Sequence, residues 1–315
     1  MDRAATVFHT ARVVDSDRRR GLHGPLFGVP AYGPWGVIPL FWTEPPHVDL
    51  LQLAAHRVVW RCLTFALVCG LRGQLGELGT ALRDRRLVGR LAVTATMLAT
   101  NWVIFIYAIA SNQVVEASLG YFINPLVSVA LGRIFLRERI SRPQMAAVVL
   151  AALGVVALAF SMGGVPWLAL VLAFSFGGYG LLRKTARANA LPGSTVETLL
   201  MLPIGVGMLV YFEWTGAGAF HGEDVGWLIA TGPVTALPLW WFANAARRLR
   251  LATLGFLQYL APTGQFLLAV FLFHEPLAPE RLVGFGFIWF ALALYSADAF
   301  RRRGAVPTQS ATTGR

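Results

Sequence analysis

Three side chains that can carry a positive charge lie close together inside one apolar stretch of the 315-residue chain: His56, Arg57 and Arg61. Arg57 and Arg61 are four residues apart, so on a helix they share one face. Charged residues inside a membrane are costly unless paired, and they are functional candidates by default. The pair predicts a cationic patch that meets an anionic or polar substrate group, or that pairs with a carboxylate. The structural alternative is a fixed ion pair, or a cap on carbonyls that nearby prolines leave free.

Two carboxylates and three amides form a second group of candidates. Glu116 begins the fourth apolar segment and Glu197 begins the seventh. Either could take up a proton, but a negative charge near a helix N-terminus is also favourable for structural reasons. The amides of Asn101, Asn124 and Gln258 could hydrogen-bond a ligand, although polar amides also join helices to each other.

Aromatic side chains form a third group, which could line a cavity. Within it we favour Tyr121 and Tyr259, because they stand closest to a motif that occurs twice in the chain. Trp102 adjoins Asn101 and is a further candidate. The rest of the set is Tyr32, Trp35, Tyr107 and Tyr179. Trp and Tyr at the membrane interfaces are also ordinary anchors, which is the structural alternative.

The composition is that of a membrane protein. Hydrophobic residues make up 56% of the chain and charged residues only 14%, whereas soluble proteins carry about 25% charged residues. The net charge of +11 is explained by basic residues that flank apolar spans, so we expect no nucleic-acid partner. Cys62 and Cys69 match no metal motif, and no phosphate-binding loop or catalytic constellation is present. We therefore expect no enzyme activity, no cofactor and transport that is driven by a gradient.

Ten segments are long and apolar enough to be membrane helices, since about 20 residues cross the hydrocarbon core. They are residues 24–42, 50–71, 91–110, 114–136, 143–161, 166–182, 195–213, 225–246, 252–273 and 282–300. The first segment contains four prolines, each of which removes a backbone donor. The fold class is thus an all-α integral membrane protein with ten transmembrane helices.

Charged residues alternate between the loops. Basic residues concentrate in the tails 1–20 and 301–315 and in the loops 72–90, 133–142, 183–187 and 247–250. The other loops carry acid, at Glu44, Asp49, Glu213, Glu223, Asp224, Glu275 and Glu280. An excess of Arg and Lys marks cytoplasmic loops. We therefore predict that both termini are cytoplasmic and that the chain resides in the cell (inner) membrane.

The second half of the chain resembles the first. The segment 117–121 (ASLGY) is similar to 252–256 (ATLGF), and 31–36 (AYGPWG) is similar to 175–180 (SFGGYG). Pro125 and Pro262 are each followed 13 residues later by a glutamate, Glu138 and Glu275. Two five-helix repeats, 21–161 and 166–300, must cross the membrane in opposite senses. Inverted repeats are typical of secondary transporters, which bind substrate near the midplane.

Several of these motifs resemble those of one known family. The segments 55–60 (AHRVVW), 101–102 (NW), 116–126 (EASLGYFINPL) and 249–256 (LRLATLGF), together with Gln258, Tyr259 and Pro262, are similar to the RarD family of EamA-type permeases. These proteins belong to the drug/metabolite transporter superfamily. The resemblance covers about residues 21–300. It implies a five-plus-five inner-membrane permease that is associated with chloramphenicol sensitivity or resistance. Three residues depart from the pattern: Gln52, Thr43 and Arg61 stand where a glutamate, a lysine and a small polar residue are expected.

Three classes of function fit the sequence to different degrees. The leading hypothesis is a secondary-active permease that moves a small metabolite or drug by alternating access, with an ion such as H⁺ as the candidate for coupling and the lipid bilayer as its surroundings. A lipid-modifying membrane enzyme would need clustered His and Asp/Glu at one membrane face, and the loops show no such repeated spacing. A channel or a non-transporting scaffold is the remaining alternative.

Overall fold

A computed structural model describes residues 28–37, 41, 48–160, 166–220, 222, 224–272, 274 and 279–304. Within these ranges the regular structure is entirely helical. The helices are α1 (28–37), α2 (Leu50–Leu71), α3 (Leu75–Arg83), α4 (Arg85–Ala110), α5 (Val114–Phe135), α6 (Arg142–Phe160), α7 (Trp167–Thr185), α8 (Ala190–Trp214), α9 (Asp224–Arg248), α10 (Leu251–Gln258), α11 (Leu260–Phe271) and α12 (Pro279–Gly304).

Eight stretches in the described part of the chain are long and apolar enough to cross a membrane. They lie in α2, α4, α5, α6, α8, α9 and α12 and in the combined stretch Leu251–Phe271 of α10 and α11. Helix is present in all ten segments that the sequence predicted. The first prediction, 24–42, lies partly outside the described residues, and α7 is a 19-residue helix that is not among the eight. The all-helical, multi-pass prediction is confirmed.

Carboxylates fix where several helices begin. Asp49 accepts hydrogen bonds from the N–H groups of the first turn of α2, and Asp84 does the same for α4. The start of α10 is capped from a distance, because the Glu138 carboxylate accepts from Leu251 N (2.7 Å) and Ala252 N (3.1 Å). The first N–H groups of a helix have no partner within it, so an acceptor there stabilises the end.

The predicted span 252–273 is divided at Gln258 and Tyr259 into α10 and α11. Pro262 has no N–H group, so the Gln258 carbonyl, four residues earlier, receives no helical hydrogen bond. At the same place the Tyr259 N–H donates to the carbonyl of Phe256, which is three residues back in the chain. Pro262, which the repeat analysis singled out, therefore contributes to the break, although Pro125 and Pro203 lie inside continuous helices.

The described helices form two compact units. The first contains α1 to α5 and α7 to α11, and the second contains α6 and α12. Each unit contains helices from both halves of the chain. The core of the first unit includes an aromatic group in which Tyr32, Trp35, Phe176 and Tyr179 all pack against Phe242, with ring centroids 5.1–6.4 Å apart.

Within the first unit, α2 and α8 run antiparallel. Gly205 packs against Val58, and further along the same pair Met201 contacts Arg61. Residue numbers thus fall along α8 as they rise along α2. The closest approach uses a glycine, because a Cβ at Gly205 would lie 3.0 Å from the Val58 side chain.

The stretch from α10 into α11 runs antiparallel to α5 in the same way. The Tyr259 hydroxyl donates to Phe122 O (3.2 Å), and the Gln258 amide donates to Ser128 Oγ (3.2 Å). Gly255 sits against the Pro125 carbonyl, where a Cβ would lie only 2.8 Å from that oxygen. These contacts join the two copies of the repeated motif.

The second unit is also an antiparallel pair. Ser141, just before α6, donates to Asp298 of α12 (2.7 Å), while Gly154 near the other end of α6 packs against Gly284 and Phe287. Backbones approach closely at the glycines, as is common between membrane helices.

Candidate substrate site

Two of the three basic side chains singled out in the sequence, Arg57 and Arg61, lie beside the same indole ring. Arg57 and Arg61 project from one face of α2, and their Cζ atoms lie 5.1 and 4.3 Å from the centroid of a Trp102 ring. Trp102 comes from α4, so the site spans two helices. An arginine over an indole face gains a cation–π attraction that grows when water is excluded. Asn101, the neighbour of Trp102, fixes that part of α4 by donating to Leu172 O and Ser175 Oγ of α7.

Arg61 is buried completely at the middle of its helix. It is the twelfth of the 22 residues of α2, and its exposed fraction is 0%. Its Nη2 contacts the sulfur of Met201 at 3.6 Å, which is a weak acceptor. Its Nε and Nη1 have no hydrogen-bond partner among the described residues. Arg61 is therefore neither in a fixed ion pair nor a cap on a carbonyl within the described chain.

Glu197 lies in a separate ion pair one turn from Met201. Its Oε1 is 3.5 Å from Arg183 Nε and accepts a 2.6 Å hydrogen bond from Thr94. The sequence analysis placed Glu197 at a helix start, which is wrong, because α8 begins at Ala190 and Glu197 is its eighth residue. It also placed Arg183 in a cytoplasmic turn, whereas Arg183 lies in the last turn of α7 and is 1% exposed.

Tyr179 connects the ion pair to the cationic patch. It is buried, and it interacts electrostatically with both Glu197 and Arg61. Arg183 is held further by donating from Nη2 to Ala190 O (3.0 Å) and to Ser194 Oγ (3.4 Å). Gly193 packs directly on this guanidinium. The sequence analysis did not predict Arg183, Met201 or Thr94 as site residues. Arg183 was missed because a basic residue at the end of an apolar stretch is typical of a loop.

A polar group lies where α1, α5 and α10 meet. Gln258 donates to Ser128 Oγ, but neither its own Oε1 nor Asn124 Oδ1 has a hydrogen-bond partner in the part of the chain that the structure describes. The Tyr32 side chain faces Gln258 and interacts with it. Tyr259 bonds to the Phe122 carbonyl, which is a structural contact between helices.

The remaining predicted site residues lie in different surroundings. His56 is buried and stacks on Phe220 at 5.5 Å, with no partner for either ring nitrogen in the described chain. Glu116 accepts from Leu168 N at 2.8 Å and so caps the first turn of α7. Tyr121 packs edge-on against Phe105 and interacts electrostatically with Arg57. Among the described residues, no group of three His, Cys, Asp or Glu side chains is placed to hold a metal ion.

Comparison with known proteins agrees with this architecture. Residues 34–160 match the model of the EamA-like transporter family. A protein named RarD from Streptomyces exfoliatus is 41% identical over 312 residues, covering 96% of this chain and 98% of that protein. An uncharacterized transporter of Pseudomonas aeruginosa is 42% identical, with 90% and 96% covered. One solved structure, described only as the crystal structure of a protein, shares the fold with a TM-score of 0.70 at 19% identity, covering 88% of this chain and 99% of that one. The chain is a multi-pass protein of the cell membrane and belongs to the RarD family of EamA-type transporters, in the drug/metabolite transporter superfamily.

Proposed function

We propose that this transporter is a secondary-active permease that carries a small metabolite or drug by alternating access, with Arg57, Arg61 and Trp102 at its binding site. The observation that carries the proposal is Arg61, a fully buried cation at the midpoint of a membrane helix, whose Nε and Nη1 meet no hydrogen-bond acceptor among the described residues. A charge in that position is expensive to keep, and in transporters it marks the path of a substrate or ion.

The proposal includes ten transmembrane helices arranged as two inverted repeats, residues 21–161 and 166–300. In that arrangement α2 and α8 are the second helices of each repeat, α5 and α10–α11 the fourth, and α6 and α12 the fifth. Each of these pairs is antiparallel and in contact. This is the packing expected when two repeats are related by a two-fold axis in the membrane plane.

The orientation follows from charge. The basic loops and the tails 1–20 and 301–315 face the cytoplasm in the proposal, because Arg and Lys near the ends of spans are retained on that side. Both termini are then cytoplasmic, and the membrane is the inner membrane of the cell.

Glu197 supplies the means of coupling to a proton gradient. It is a carboxylate with an exposed fraction of 3%, and its partners, Thr94 and Arg183, come from two other helices. Uptake of a proton by Glu197 would release Arg183 and so change the contact between α7 and α8. Chloramphenicol is included among the candidate substrates because of the association that the RarD resemblance implies.

Flux measurement tests the proposal. The full-length protein would be reconstituted in liposomes under an imposed pH gradient, and labelled metabolites and chloramphenicol would be screened for uptake and efflux. We expect saturable movement of one compound class that stops when the gradient is collapsed. Absence of flux across the panel, from protein shown to be folded, would overturn the permease and favour a scaffold. Flux that does not saturate would favour a channel.

A further inference from the structure

Arg61 has unused hydrogen-bonding capacity in a place that water does not reach. A guanidinium carries five N–H donors and no acceptor, and here the only acceptor that contacts it within the described chain is the thioether of Met201. The ring of Trp102 covers one face of the guanidinium at 4.3 Å. Neither contact neutralises the charge, so the site is suited to a group that does.

The nearby carboxylate is committed elsewhere. Glu197 faces Arg183 at 3.5 Å and accepts from Thr94 at 2.6 Å. Arg183 in turn is fixed by Ala190 O and Ser194 Oγ. This arrangement keeps Glu197 of α8 paired with Arg183 of α7, so that Arg61 of α2 has no carboxylate within ion-pair distance among the described residues.

From these contacts we infer that Arg61 binds an anion, a carboxylate or a phosphate, and that the anion is a group of the transported molecule. The inference rests on the proposed function and names its substrate class. Arg is the side chain best matched to a planar carboxylate or to a phosphate, since its N–H groups point in parallel pairs. The indole of Trp102 adds an apolar wall beside which a ring or alkyl part of the same molecule can pack.

The first test measures binding without transport. The thermal unfolding midpoint of the full-length protein in detergent would be followed with chloride, inorganic phosphate, benzoate or succinate as probes, and with benzamide as the uncharged analogue of benzoate. We expect at least one carboxylate or phosphate to raise the midpoint, and benzamide to have no effect. Arg61→Met should lose the shift. Arg61→Lys, which keeps the charge but not the paired donors, should bind at least about tenfold more weakly.

Arg72→Met is the matched control. Arg72 also lies over an indole, that of Trp240 at 4.7 Å, but it is exposed at the end of α2. The anion shift should survive in this variant. Stabilisation of Arg61→Met and wild type to the same extent, stabilisation by benzamide, or no shift with any anion would each overturn the inference.

Flux in liposomes of the kind described above separates the permease proposal from the anion inference. It also distinguishes an anion that is part of the substrate from a free anion such as chloride. Saturable movement of labelled carboxylates or phosphate esters that Arg61→Met abolishes would support both proposals. Stabilisation by chloride alone would overturn the assignment of the anion to the substrate. Anion binding at Arg61 without flux of any compound would overturn the permease and leave the binding. Flux of neutral compounds that is independent of Arg61 would overturn the anion inference and leave the permease.

Discussion

The Nε atom of Arg183 lies 3.5 Å from Oε1 of Glu197, with both side chains buried, and this contact ties the end of α7 to the third turn of α8. Removing one member of a buried ion pair leaves the other charge uncompensated, whereas removing both is often tolerated. The contact can therefore be examined by a double-mutant cycle.

Arg183→Met should lower the free energy of unfolding by about 3–5 kcal/mol, because it leaves Glu197 buried without its counter-ion. The double variant Arg183→Met with Glu197→Met should recover most of that loss. The measurement is reversible unfolding in mixed micelles. Additive losses in the double variant would show that the two residues do not act as a pair.

Arg57→Ala should abolish flux and leave folding intact. The side chain is partly exposed and shares the Trp102 ring with Arg61, so its loss removes charge from the site without opening the core. Flux in liposomes and the unfolding midpoint would be compared with those of Arg72→Ala, which should match wild type in both. Unchanged flux in Arg57→Ala would show that Arg57 has a structural role and no role in transport.

Glu116→Ala should cost stability and not transport. Its carboxylate accepts from Leu168 N and caps α7, and loss of a cap costs about 0.5–2 kcal/mol. Asp84→Ala, which removes the cap of α4 on an unrelated helix, is the control and should behave alike. Loss of flux in Glu116→Ala alone, at equal folded fraction, would restore Glu116 as a transport residue.

Gly255→Ala should destabilise the protein by about 1–3 kcal/mol, the usual cost of overpacking. The added Cβ would lie 2.8 Å from the Pro125 carbonyl, and neither backbone can yield without moving a helix. Gly89→Ala, within α4, serves as the control, because its new Cβ would meet no atom of the described residues within 4 Å. It should be neutral or stabilising by about 0.5–1 kcal/mol, since alanine favours helix. Equal midpoints for the two variants would contradict the close approach of α5 and α10.

The sequence predicted the helices better than their ends. Apolar length located helix in all ten predicted segments, but the short helix α3 was taken as part of a basic loop. Its residue Ala81 packs with Leu87 and Ala188 in a small apolar cluster that single-residue hydropathy does not register. The start of α8 was placed five residues late, because its first turns contain Pro192, Gly193 and Ser194, which are unusual in a helix and are buried here by tertiary contacts.

Only part of the candidate site could be predicted from the sequence. Arg57 and Arg61 were grouped correctly because both lie on one helix, where spacing determines the face. Their contact with Trp102 and the pairing of Arg183 with Glu197 join separate helices, and spacing along the chain carries no information on which helices are neighbours. Asn101 and Glu116 were ambiguous from sequence for this reason; in the structure Glu116 accepts from a backbone N–H of α7, and Asn101 donates to a backbone carbonyl and to the Ser175 hydroxyl of the same helix.

The division between α10 and α11 has a mechanical consequence. The Gln258 carbonyl has no helical hydrogen bond to lose, because residue 262 is a proline, so changing the angle between the two segments breaks no bond at that point. The eight residues of α10 are held at one end by the Glu138 carboxylate and along their length by α5. The twelve residues of α11 meet α1, where Gly264 lies against Gly36, and α1 also contacts α10, where Gly28 lies against Leu257. The junction at Gln258 and Tyr259 is thus a point where the angle between α10 and α11 can change without loss of a backbone hydrogen bond to the Gln258 carbonyl.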